Sequence, residues 1–168
     1  MFRALFPALA LVATSVSSVA AEELALPQGE VILTISGPIE TTNVDGTAQF
    51  DLEMLEAMDA TTFETTTIWT AGEHSFTGVS LAVLADRLGL EGETLRATAI
   101  NDYAIDIPLS DAVEGGPIVA YRMDGDTMPV RDKGPLWIVY PYDANADYRT
   151  EVVYSRSIWQ LDRIEVME

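Results

Sequence analysis

Residues 116–141 read GPIVAYRMDGDTMPVRDKGPLWIVYP. The run 118–121 is apolar, with two β-branched residues and a Tyr, and Arg122-Met123 continue it, which predicts a strand over 118–123. Asp124-Gly125 suits a tight hairpin turn, because both residues tolerate φ > 0. A second apolar run, 136–140, follows a Gly134-Pro135 corner and stops at Pro141. Arg131, Asp132 and Lys133 stand just before that corner. A strand that only fills a core needs no charged cluster at its mouth and gains little from a Trp in its middle. The corner is therefore read as one wall of a pocket for a small flat ligand.

Outward from this stretch, the pattern predicts a strand-rich α+β domain with two short helices. Strands are expected at 30–37, 61–70, 94–100, 103–109 and, with irregularities, 151–167. A loop is expected at 71–76 and a single helical turn at 110–113. Leu52, Leu55 and Met58 recur at helical spacing behind Asp51, a candidate N-cap. The clearest helix is 80–88. Ser80 caps it, Leu81, Val83, Leu84 and Leu88 line its buried side, and Gly89 ends it. No repeat or low-complexity linker interrupts the chain, so one domain is expected over 22–168.

The opening residues, MFRALFPALALVATSVSSVAA, combine one positive charge, an apolar run and a small-x-small ending. This is the pattern of a cleavable secretory leader, 1–21. No later stretch reaches about 18 continuous apolar residues, so no membrane insertion is expected. The expected location is the periplasm. The chain has no cysteine, which excludes disulfides, thiolate metal sites and a Cys nucleophile. Its formal net charge of -18 repels nucleic acid and anionic lipid. The basic residues gather late, at Arg122, Arg131, Lys133, Arg149, Arg156 and Arg163. They are either solvated charge or a local positive site in an acidic protein.

His74 is the sole histidine, so no His-based metal cluster is possible, and it reads as an ordinary loop residue. Asp143, Asn145 and Asp147 imitate the start of a calcium loop. The loop's sixth position is Tyr148 instead of Gly and its twelfth is Tyr154 instead of Glu, so a polar turn is expected. Carboxylates are too numerous for an acid/base pair to be chosen. The three Trp are more informative. Trp69, Trp137 and Trp159 all lie near strand ends or loops that carry polar groups. An indole offers a flat face and one donor, which suits stacking on a heterocycle; the plainer alternative is core filling. Asn101-Asp102-Tyr103 is a turn between two strands. An Asp or Asn there supplies the acceptors that the N–H edge of an aminopyrimidinone needs.

Four segments together carry a resemblance: FTGVSLAVLADRLGL (76–90), AINDYAIDIPLSDA (99–112), residues 116–141 as quoted, and SRSIWQLDRIEV (155–166). In order and spacing they resemble the molybdopterin-binding domain of the sulfite oxidase superfamily, over roughly residues 60–167. The resemblance implies that fold. It also marks departures. The family's metal-binding Cys would fall within 65–70, where the chain reads Thr-Thr-Thr-Ile-Trp-Thr. The family's His or Asn falls on Asp132, its pterin-contacting Arg on Trp137 and its phosphate-binding Lys on Trp159. Its Arg-Ser pair is kept as Arg156 and Ser157.

The resemblance, so altered, implies a pocket rebuilt for a reduced, metal-free pterin, with molybdenum not expected. Trp137 or Trp159 would stack on the ring, Asp132 or Asp102 would accept from its amino edge, and Arg131, Lys133 or Arg156 would donate to its oxo group. The chain is also similar to a sub-group of exported, cysteine-less proteins of this fold that act as pterin-binding regulators. Those proteins dock on the periplasmic domain of a membrane-bound diguanylate cyclase/phosphodiesterase and relay pterin status to cyclic-di-GMP turnover. The resemblance implies a non-enzymatic protein with that partner, through an electrostatic contact weakened by salt. The competing expectation is a molybdopterin oxidoreductase with non-Cys metal ligation.

Overall fold

A computed structural model describes residues 24–168. The expected leader, 1–21, lies outside them. The strands are β1 (Leu33–Ser36), β2 (Ala48–Phe50), β3 (Ala60–Thr66), β4 (Glu73–Ser80), β5 (Thr94–Ala99), β6 (Ala104–Pro108), β7 (Ile118–Met123), β8 (Asp126–Thr127), β9 (Leu136–Val139) and β10 (Trp159–Met167). The helices are α1 (Leu52–Glu56), α2 (Leu81–Leu88) and α3 (Glu151–Ser155), with single 3₁₀ turns at Leu109–Asp111 and Ala146–Tyr148.

The strands form one continuous sheet in the order β2-β1-β10-β9-β7-β4-β3. β5 pairs with β10 and with β6, and β8 pairs with β7. β10 is the hub, because it is bonded to β1, β5 and β9. β1 lies parallel to β10, and β10 runs antiparallel to β5 and β9. Burial of Leu33, Ile35, Phe50, Phe76, Val119, Ile138 and Leu161 joins these strands into one core. α2 covers it with Leu81, Leu84 and Leu88. The Ser80 hydroxyl caps that helix by accepting the Val83 N–H at 3.0 Å, and Gly89 ends it in the left-handed region at φ 60°. Gly78 lets β4 and β7 pass closely. A Cβ there would sit 2.1 Å from the Val119 carbonyl oxygen.

Three expectations need correcting. The strand expected at 61–70 stops at Thr66. The Thr67 hydroxyl accepts the N–H groups of Trp69 and Thr70 at 3.1 and 3.0 Å, and that local turn takes the backbone out of the ladder. The loop expected at 71–76 is largely strand, because β3 and β4 keep register down to Thr66 opposite Glu73. The strand expected over 151–167 begins only at Trp159. Before it, Thr150 accepts the Val153 N–H at 3.3 Å and caps α3, a third short helix. Asp51 is the N-cap expected of it, accepting from Met54 at 2.9 Å and from the N–H groups of Gln28 and Gly29. Backbone N–H groups, that of Gly29 foremost, hold its carboxyl below the usual Asp value.

Candidate functional site

One end of the sheet opens into a cavity of about 500 Å³, within the range of small-molecule sites. Four chain segments meet there: the turn after β3 (Ile68, Trp69), the β5–β6 turn (Asn101, Tyr103), α3 (Glu151, Tyr154) and the start of β10 (Ser157, Trp159, Gln160). Each is set by a local device. The Thr67 turn presents Trp69. The Asn101 side chain accepts the Tyr103 N–H at 3.2 Å, and Asp102 between them takes φ 66°, a conformation Asp tolerates. The Thr150 cap fixes α3 and hence Glu151 and Tyr154.

Gln160 makes the fourth device. It sits at φ 54°, where the pairing of β10 with β9 slips between Trp159 and Leu161. This irregularity turns Trp159 toward the cavity. Gln160 also ties three segments together. Its N–H donates to the Lys133 carbonyl at 3.0 Å, its carbonyl accepts the Ile100 N–H at 2.9 Å, and its side-chain amide donates to the Val130 carbonyl at 2.6 Å.

Aromatic rings make the wall. Trp69 is at its centre, with ring centroids 5.6 Å from Trp159, 5.8 Å from Tyr154, 5.9 Å from Trp137 and 6.4 Å from Tyr142. These contacts are edge-to-face, the favoured geometry for ring quadrupoles. Beneath the wall lies a hydrogen-bonded polar frame. Ser157 gives its hydroxyl proton to the Val153 carbonyl at 3.1 Å and so accepts from the Tyr142 hydroxyl. Burial pushes that tyrosine up to about 12. Tyr140, raised still further by burial and then by Asp111, donates to the Asp111 carboxylate at 2.8 Å. Asp143 accepts the Thr66 N–H at 2.5 Å and its hydroxyl at 3.0 Å, and the Asp143 N–H donates to the buried Thr65 hydroxyl. Those Thr66 bonds hold the Asp143 carboxyl below its usual value. The residue that imitates a calcium ligand in the sequence is therefore a clamp on the end of β3.

The eleven residues singled out from the sequence divide sharply. Trp69, Asn101, Tyr103, Ser157 and Trp159 line the cavity. Trp137 does not. It is completely buried, pairs opposite Trp159, and donates its indole N–H to the Ser157 carbonyl at 3.1 Å. The indoles that line the cavity are those of Trp159 and Trp69, and Trp137 supports them from below. Lys133 holds its ammonium 4.6 Å from the Trp159 ring centre and 5.2 Å from that of Trp137. Arg156 is turned away into an ion pair with Asp111 at 2.8 Å. Asp102 pairs with Arg163. Arg131 and Asp132 are exposed on the loop before β9 and do not line the cavity. The sequence reading missed Glu151, Tyr154 and Gln160. A cap signal, Thr150 before Glu151, was available for the first two; nothing local marks Gln160.

The strand-rich sheet with its three short helices is the sulfite-oxidase-type molybdopterin-binding fold. The family model for the oxidoreductase molybdopterin binding domain matches residues 32–167, and the chain belongs to that family. The solved sulfane dehydrogenase SoxCD from Paracoccus pantotrophus is similar in fold. Its TM-score is 0.59 and its identity 17%, over 80% of this chain and 37% of that one. This chain thus spans little more than a third of that structure's length. No curated protein matches. The family's namesake cofactor joins a metal dithiolene to a phosphate, and the donors here do not fit it. The chain holds no thiolate, and among the described residues no cation lines the cavity. Among the described residues, no group of three His, Cys, Asp or Glu is placed to hold a metal.

Proposed function

We propose that this chain is an exported, non-catalytic binding protein for a reduced pterin free of metal. The observation that carries the reading is the wall of Trp69, Trp159 and Tyr154 on a cavity where, among the described residues, the one charged lining residue is a carboxylate. A flat heterocycle gains stacking there, and its amino edge meets acceptors. A phosphate or a soft metal meets neither cation nor thiolate. The competing reading, an oxidoreductase using molybdopterin, has family membership in its favour, and it requires a metal ligand other than sulfur.

The downstream role proposed for the protein is a relay of pterin status to the periplasmic domain of a membrane-bound cyclic-di-GMP enzyme. It is supported by the resemblance of the chain to regulators of that kind. The direct test of binding is titration of a dihydropterin followed by tryptophan fluorescence. Trp159→Ala is expected to weaken binding roughly tenfold to a hundredfold, the scale of one lost stacking partner. Unchanged affinity in that variant would remove the aromatic wall from the site.

A further inference from the structure

Glu151 is the residue of this pocket that neither the sequence motifs nor the family accounts for. It opens α3, is exposed, and lines the cavity beside Tyr154. Among the described residues its carboxylate makes no hydrogen bond or ion pair. Among the described residues that line the cavity it is the one carboxylate, and the side-chain amides of Asn101 and Gln160 are neutral acceptors beside it. Asp102 is paired with Arg163, the Asn101 oxygen takes the Tyr103 N–H, and Asp132 lies outside the lining. The cations of the neighbourhood are likewise committed. Lys133 rests over the Trp159 and Trp137 rings, and Arg156 faces Asp111.

We infer that Glu151 is the specificity residue of the pocket: it accepts from the paired 2-amino and ring N–H donors of the heterocycle, and its charge turns away ligands that carry a phosphate. The inference rests on the pterin reading above and names the ligand class within it, an unphosphorylated 2-amino heterocycle. The chemistry is that of a fork. A carboxylate has two oxygens that accept two parallel N–H donors, and such charge-assisted pairs are shorter and stronger than neutral ones. With no cation in the lining among the described residues, and Lys133 set over the indole rings, a phosphate on the same ligand faces the Glu151 charge.

The test uses the whole protein and three probes, with tryptophan fluorescence as the readout. The probes are a hydroxymethyldihydropterin, its lumazine counterpart, in which oxygen replaces the 2-amino group, and its phosphate monoester. The unaltered protein is expected to prefer the pterin over the lumazine by about tenfold or more, from one charge-assisted hydrogen bond. It is expected to bind the phosphate ester more weakly than the parent. Glu151→Gln should erase most of the preference for the amino edge and narrow the gap to the phosphate ester. Glu151→Ala should do the same, and because the side chain is exposed, both variants should keep the parent's thermal midpoint. Retention of the amino preference in both variants, or equal affinity of the unaltered protein for the phosphate ester, would overturn the role of Glu151 and leave the pterin reading standing. Failure of all three probes to bind would overturn the pterin reading and this inference with it.

Discussion

Lys133 lies over two indole faces, 4.6 and 5.2 Å from their centres, and such a contact contributes about 0.5–1 kcal/mol at an exposed site. The charged corner before β9 thus has a use different from the one its sequence implies. Its cation braces the aromatic wall from the side, while Arg131 and Asp132 remain in solvent. His74 shows the same kind of reassignment. It is in β4, where Nδ1 lies 2.7 Å from an Asp124 carboxylate oxygen and Nε2 lies 3.1 Å from the Ala71 carbonyl. Asp124 also accepts the Ser75 N–H at 3.0 Å, so the pair fastens the β7–β8 turn to β4. The hydrogen bond to Asp124 raises the His74 pKa above 6.5, and the same bond lowers that of Asp124 below 3.8. A raised His contributes stability in full below its unfolded value and loses it as pH climbs through the folded value. The lowered Asp contributes above its own unfolded value and loses it as pH falls through the folded one. Comparing denaturant midpoints of the parent and His74→Ala at about pH 5.5 and about pH 8.5 checks this. The parent's advantage should be larger at the lower pH. An advantage equal at both would mean that the pair is held by contacts independent of charge.

At the scale of elements, legibility followed the range of the forces involved. α2 could be read because its cap, its apolar face and its terminal glycine all lie within ten residues of each other. β7 and β9 could be read because their buried stretches, 118–121 and 136–139, are continuously apolar. The β5–β6 turn was visible as Asn101-Asp102-Tyr103, and it does reach the cavity. α3 was hidden, since Glu151–Ser155 reads EVVYS, whose β-branched and aromatic residues favour a strand. A single capping hydroxyl and the buried Val153 reverse that preference. The kink at Gln160 was hidden for another reason. Its three partners, Val130, Lys133 and Ile100, lie far away in sequence. For the same reason motif matching separated Trp137 from Trp159 only incompletely. The resemblance treats the two alike, yet pairing across β9 and β10 buries one and leaves the other beside the cavity.

Across the whole molecule, the formal charge of -18 makes a basic face the complementary surface for the partner proposed above. An electrostatic dock of this kind should weaken as ionic strength rises past the point where the screening length falls to about 8 Å. Affinity for the isolated sensor domain, measured across a salt series, checks that expectation, and a flat dependence would exclude a charge-driven contact. The central claim is narrower: a metal-free pterin in an aromatic pocket of a molybdopterin-binding fold. Its most direct measurement is made on protein purified from its own host without added cofactor. Small molecules released by denaturation are identified by fluorescence and mass, and molybdenum is quantified in the same sample. The account predicts about one pterin per chain and no molybdenum. Stoichiometric molybdenum would contradict it and return the protein to the oxidoreductases of its family.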